Sequence, residues 1–176
     1  MLDYTKDELL DMIQNTPEKF NKWKKQVEEV DLSEVDFSNI VLNEIDFSDV
    51  DLNSSSFADS TLTSVNFTNA DLTAVDMTRA VITQCDFTDS LLVGADCSYA
   101  EMTYCNFTDC DMAGTVLSET DLSFSELSAA VNLNSARYDN DTVWPEDDML
   151  PEDFDMVCKN DLSSLQDDED NVVEDY

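Results

Sequence analysis

Carboxylates are the reactive groups this sequence holds in quantity: 41 Asp and Glu stand against 8 Lys and Arg, with no His and a formal charge of −33. Paired carboxylates can act as general acid and base or bind calcium, but both uses need a pocket or a glycine-bearing loop to bring them together. The chain has two Gly, too few for a loop that cradles phosphate, and the oxygen-rich stretch Asp139-Asn140-Asp141 lacks the glycine of a calcium loop. With no His, none of the five Cys has the usual base and zinc has no nitrogen ligand. No catalytic residue, cofactor or metal is therefore expected. What remains is the field of the carboxylates, which repels nucleic acid and anionic membrane and attracts a partner with a basic surface.

The acids are spaced by a period of five. From Leu32 to Leu127 every fifth residue is apolar, twenty positions without an insertion. Two residues before each, from Val30 to Ser125, lies a register that is small or β-branched throughout. Asp and Asn dominate the position just before the core residue, and Ser, Thr, Asn and Asp follow it. A period of five fits neither the 3.6 of a helix nor the 2.0 of a strand. It requires a short extended side and then a corner, with turn-forming polar residues at the corner. Four sides close a coil of twenty residues, and coils stack as strands do, ~4.8 Å apart. Residues twenty apart then form ladders: Phe47, Phe67, Phe87 and Phe107, ended by Leu127, and beside it Leu32, Leu52, Leu72, Leu92 and Met112.

Units such as Val35-Asp36-Phe37-Ser38-Asn39 and Ala70-Asp71-Leu72-Thr73-Ala74 resemble the pentapeptide-repeat family over residues 30–130. The resemblance implies an all-β solenoid, a right-handed quadrilateral β-helix of about five coils. Such a solenoid needs its open ends covered. Residues 1–29 read as a helical N-terminal cap: Thr5-Lys6-Asp7-Glu8 is a capping box, Thr16-Pro17-Glu18 is a second helix start, and five of the eight basic residues fall here as solvated lysines. Residues 131–155, with Tyr138, Trp144 and Phe154, read as a C-terminal cap, and residues 156–176 as an acidic tail.

Between residues 31 and 130 stand nineteen Asp or Glu and one base, Arg79, a net −18. Five coils are ~24 Å long, so the rod carries roughly one net charge per 1.3 Å, against about one per 1.7 Å for duplex DNA. The twenty-residue frame sorts the acids into rows: Asp31, Asp51, Asp71 and Asp111; Asp46, Asp86 and Glu126 with Asn66 and Asn106 between them; and Asp36, Asp76 and Asp96. Repulsion within a row is expected to raise pKa values. Arg79 should pair with Asp59 beneath Tyr99, Gly94 and Gly114 should share a corner of positive φ, and Cys85 and Cys105 should stack as reduced thiols.

Two functional readings follow. In the first, the chain is an acidic mimic of duplex DNA that binds and inhibits or regulates a basic DNA-binding protein. The family resemblance points to a bacterial topoisomerase, and a restriction or CRISPR-type defence complex has the same kind of basic groove. In the second, it is an interaction scaffold, adaptor or structural component that uses its termini or an apolar patch of Leu91, Val93, Tyr99, Tyr104 and Val116, a homodimer contact included. No apolar run approaches the ~18 residues of a membrane span and no signal segment is recognisable, so a cytoplasmic location is expected.

Overall fold

The computed structural model describes residues 4–155. From Val30 onward each coil pairs in parallel with the residues twenty positions further on. β1 (Val30–Asp31) pairs with β3 (Val50–Asp51). β2 (Val41–Asn43), β4 (Thr61–Thr63), β5 (Val81–Thr83) and β6 (Glu101–Thr103) form one four-stranded sheet in that order. Single bridges such as Asp36↔Ser56, Asp46↔Asn66 and Asp51↔Asp71 join the other sides. The offset of twenty holds to Asp111↔Val131, then becomes 21 at Val116↔Arg137 and 22 at Asp121↔Val143. The chain after residue 130 thus keeps winding under the last regular coil while its repeat decays. The four sides are numbered here by their first core residues: Leu32, Phe37, Leu42 and Phe47.

The corner explains the five. Two residues after the core position the backbone is left-handed, from Glu34 (φ 60°) through Asn69 (φ 56°) to Phe124 (φ 62°), and Gly94 and Gly114 take φ of 67° and 68° on one stacked corner. An L-residue there costs roughly 1–2 kcal/mol, least for Asn and Asp, and no Val, Ile or Thr is found at these corners. The residue before the core position prepares the turn. Asp36 accepts the Ser38 N–H at 2.9 Å, Asp71 that of Thr73 at 2.9 Å and Asp86 that of Thr88 at 3.0 Å, an Asx turn repeated around the coil. On the third side Val41, Thr61, Val81 and Glu101 hold that position, and there the chain runs extended as β2, β4, β5 and β6. Asp121 restores the acceptor on the same side, taking the Ser123 N–H at 2.8 Å, and the extended stretch gives way to a turn.

Inside, like packs on like. Phe67 and Phe87, and Phe87 and Phe107, stack with ring centroids 4.9 Å apart, and Phe37 lies 4.7 Å from Phe57. The Thr115, Thr120 and Ser125 hydroxyls, all buried, donate to the carbonyls of Leu92, Cys97 and Met102 at 2.8 Å each. Ser55 and Ser60 bury hydroxyls with no partner among the described residues. An unsatisfied buried hydroxyl costs about 1–3 kcal/mol, so the double substitution Ser55→Ala with Ser60→Ala should raise stability by about 1–2 kcal/mol. A urea midpoint that falls or stays put would contradict this.

Two helices cover the first coil. α1 (Lys6–Asn15) starts at the Thr5–Glu8 capping box, and α2 (Pro17–Lys24) starts with Pro at its first position. Leu9, Met12, Ile13 and Phe20 are buried, and the Phe20 ring lies 5.8 Å from Phe47, extending the ladder into the cap. Lys6 and Lys24 are paired rather than free, and the Lys24 side chain is largely covered. Lys6 Nζ sits 2.8 Å from Asp31 and donates to the Ser33 carbonyl at 2.7 Å, and Lys24 reaches Asp46 at 3.4 Å. Long basic side chains at the edge of so acidic a rod find carboxylates before they find bulk water. At the other end Trp144 packs against Tyr138 at 5.1 Å and Phe154 at 4.9 Å. The acidic tail expected at residues 156–176 lies outside the described residues.

Candidate functional site: an acidic ridge

The expected rows form, and they are not equivalent to one another. Asp31, Asp51 and Asp71 are consecutive partners on the first side, Leu91 interrupts, and Asp111 resumes. On the fourth side Asp46, Asn66, Asp86, Asn106 and Glu126 pair in order. On the second, Ser56 separates Asp36 from Asp76, and Asp96 follows. Most of these residues are half-buried, because each has an oxygen turned back to the chain as a turn acceptor. The exposed acids of the fourth-to-first corner, Asp49, Asp89 and Asp109, fall outside the rows expected from the sequence. They were legible as acids two residues after a core position, but only the left-handed corner shows that such residues point outward.

Taken with the corner after each, the fourth and first sides hold eleven of the nineteen solenoid acids and no base. The second and third sides hold the other eight and Arg79. Arg79 grips Asp59 through two 2.7 Å hydrogen bonds, Nε to Oδ1 and Nη2 to Oδ2. The charge is therefore lopsided: a ridge runs along the fourth side, its corner and the first side. Asn side chains bridge its acids, with Asn69 donating to Asp49 at 2.8 Å, Asn66 to Asp46 at 3.3 Å and Asn106 to Asp86 at 3.4 Å. The cap lysines neutralise Asp31 and Asp46 at one end, leaving nine ridge carboxylates uncompensated by the cap.

The expected rise in pKa does not occur where the carboxylates are shifted. Hydrogen bonds from the Ser38 side chain and backbone lower Asp36, and at Asp46 the upward push of burial is outweighed by Ser48 and Lys24. Donors held in the turn act at hydrogen-bond distance, whereas neighbouring carboxylates interact across water-exposed space. Asp31 is held at about 2, first by the hydrogen bond from Lys6 and then by Ser33. A depressed folded value stabilises the fold above the ordinary carboxylate range and is lost as the pH falls toward 2. Lys6→Met should thus return Asp31 toward about 4 in a carboxyl NMR titration and flatten the loss of cap stability between those pH values. An unchanged Asp31 titration would contradict the clamp.

Leu91, Val93, Tyr99, Tyr104 and Val116 do not share a side. Leu91 and Val93 lie on the first side and Val116 on the second, while Tyr99 and Tyr104 occupy successive corners. Tyr104 instead stacks on Phe124, a residue the sequence reading passed over, with centroids 4.8 Å apart and planes 8° from parallel. Cys85, Cys97, Cys105 and Cys110 are buried free thiols, and burial pushes Cys110 up to about 12 and Cys97 higher, so both stay protonated as packing groups. Asp139 accepts from the Glu119 and Asp141 N–H groups at 3.1 Å each, a turn role again. Among the described residues no helix is long and apolar enough to cross a membrane.

Two family models account for the repeat: a pentapeptide repeat region over residues 26–97 and a model of eight pentapeptide repeats over residues 95–131. The chain belongs to the pentapeptide-repeat family. No curated protein sequence matches it significantly. Among solved structures, a pentapeptide-repeat protein (Rfr23) from the cyanobacterium Cyanothece is 16% identical, with 72% of this chain and 99% of that one covered and a TM-score of 0.48. Trypsin-treated QnrB1, a plasmid-mediated fluoroquinolone resistance protein, is 18% identical over 62% of this chain and 58% of its own, with a TM-score of 0.44. A pentapeptide-repeat protein of the Arabidopsis thaliana thylakoid lumen is 23% identical, covering 68% and 70%, with a TM-score of 0.30.

Proposed function

We propose that the ridge stands in for the phosphates of duplex DNA and occupies the basic groove of a DNA-binding protein, a bacterial type II topoisomerase or a restriction or CRISPR-type defence complex. The observation that carries this reading is the ridge itself, two adjoining sides with eleven acids and no base of the solenoid, nine of the acids clear of the cap lysines. Over ~24 Å the nine amount to about one carboxylate per 2.7 Å, between the 3.4 Å spacing of one DNA strand and the 1.7 Å of the duplex. The length matches about seven base pairs. Parallel pairing holds the charges in place, so little ordering entropy is lost on binding, and the cations gathered along the ridge are released on binding as those around DNA are.

The test is competition. Purified bacterial DNA gyrase and a type I restriction endonuclease are each loaded with the pentapeptide-repeat protein at about 50 mM salt and then challenged with duplex DNA. Displacement from either supports the reading; binding that DNA leaves undisturbed contradicts it. One observation favours a contact of another kind: Val41 is 75% exposed and heads the largely uncharged third-side sheet with Thr61 and Val81. An adaptor docking there would bind independently of salt and of DNA.

A further inference from the structure

The corner between the third and fourth sides carries Glu44, Ser64, Gln84, Tyr104 and Phe124. At its end two aromatic rings stack in the open, Tyr104 56% and Phe124 58% exposed. Both have left-handed backbones, φ 56° and 62°. That conformation, shared by the corners from Glu34 to Phe124, costs each roughly 1–2 kcal/mol, which Asn, Asp or Gly at the same corner would largely avoid. Carboxylates flank the rings on both sides: Glu101 and Asp121 on the third side and Glu126 on the fourth. From residue 80 to residue 136 the sequence contains no Lys or Arg, so the chain's neighbouring segments supply no cation for them.

We infer that the Tyr104–Phe124 pair is a binding site for an arginine side chain of the basic partner. A guanidinium is flat, is less strongly hydrated than an ammonium, and stacks on aromatic faces while its edge donates to carboxylates. Two rings already parallel to within 8° offer a preformed pile that such a group extends by one layer, between acids at the register positions before and after the corner. Lysine, a compact and strongly hydrated point charge, gains the acids and little from the rings. The pair therefore supplies what the ridge lacks. A row of carboxylates attracts any cation, whereas a stacked aromatic anchor distinguishes arginine from lysine and keeps its hold when salt screens the ridge. The inference rests on the proposed function in one respect, that the partner is basic.

Fluorescein-labelled nona-arginine and nona-lysine peptides are titrated against the full chain by anisotropy at about 0.05 and 0.5 M salt. At the higher salt nona-arginine should bind about tenfold tighter than nona-lysine. The double variant Tyr104→Asn with Phe124→Asn should erase that preference while leaving nona-lysine unchanged. Asn suits the left-handed corner, so this variant should melt no lower than the parent, and Tyr104→Phe should keep the preference. Equal binding of the two peptides, or a preference that survives in the double Asn variant, overturns the arginine site while the ridge reading stands. Failure of both peptides to bind at 0.05 M salt overturns the ridge reading as well. A parent that sediments as a dimer and a double Asn variant that sediments as a monomer would assign the rings to a second copy of the chain and overturn the inference too.

Discussion

Truncating Phe67 to alanine lowers the unfolding free energy by about 3–5 kcal/mol, the range for a buried aromatic removed from a close-packed core. Phe67 is fully buried, with Phe87 stacked 4.9 Å away, Phe47 5.6 Å away and Phe57 meeting it edge-on at 5.9 Å. Each coil of a solenoid touches only its neighbours, so a cavity in the middle of the ladder breaks both interfaces of one coil and can uncouple the halves on either side. Phe67→Leu, the residue that ends the ladder at Leu127, should cost less than half as much. Urea denaturation followed by far-UV circular dichroism measures both. A loss below about 1 kcal/mol for the alanine variant would mean that the coils are not held by this ladder.

Four ridge residues allow the charge to be separated from the turn. Asp51, Asp71, Asp86 and Asp111 each accept an N–H two residues on through Oδ1, at 2.9 to 3.0 Å. Asparagine keeps an acceptor oxygen in that place and discards the charge; Asn66 and Asn106 already do this on the fourth side. The fourfold Asp→Asn variant should fold with undiminished stability. Its binding should fall, and the decline in affinity between 50 and 200 mM salt should shrink by about a hundredfold, four phosphate-like contacts having been removed. The fourfold Asp→Ala variant removes the acceptor too and should lose several kcal/mol, at about 1 kcal/mol per hydrogen bond. If the Asn variant binds as the parent does, these acids serve the turns alone and the ridge is not the contact.

The five-residue period was legible because it is written in the core residues themselves: an unbroken apolar register from Leu32 to Leu127 allows few backbone shapes. The pairing of Arg79 with Asp59 and the positive φ of Gly94 and Gly114 followed from the same twenty-residue frame. The corners were less legible. Residues as unlike as Ala74, Gln84 and Tyr104 share a left-handed backbone, since cooperative stacking overrides local preference there. Nor could the spacing show that the Asp rows spend an oxygen on the chain, which lowers Asp36 rather than raising it. The one-residue slips after Asp111 left no trace in a pattern that had already lost its core register. The Tyr104–Phe124 contact is a stacking of side chains twenty residues apart at a position the repeat leaves free, so only the three-dimensional frame brings it out.

The most direct measurement compares this protein with DNA on the same partner. The salt dependence of affinity for whichever gyrase or defence nuclease it occupies is determined from 50 to 200 mM, for the protein and for a short duplex side by side. Parallel, steeply falling lines of log affinity against log salt are predicted, with losses on the order of a thousandfold for six or more replaced phosphate contacts. A flat line for the protein beside a steep one for the duplex would contradict the account.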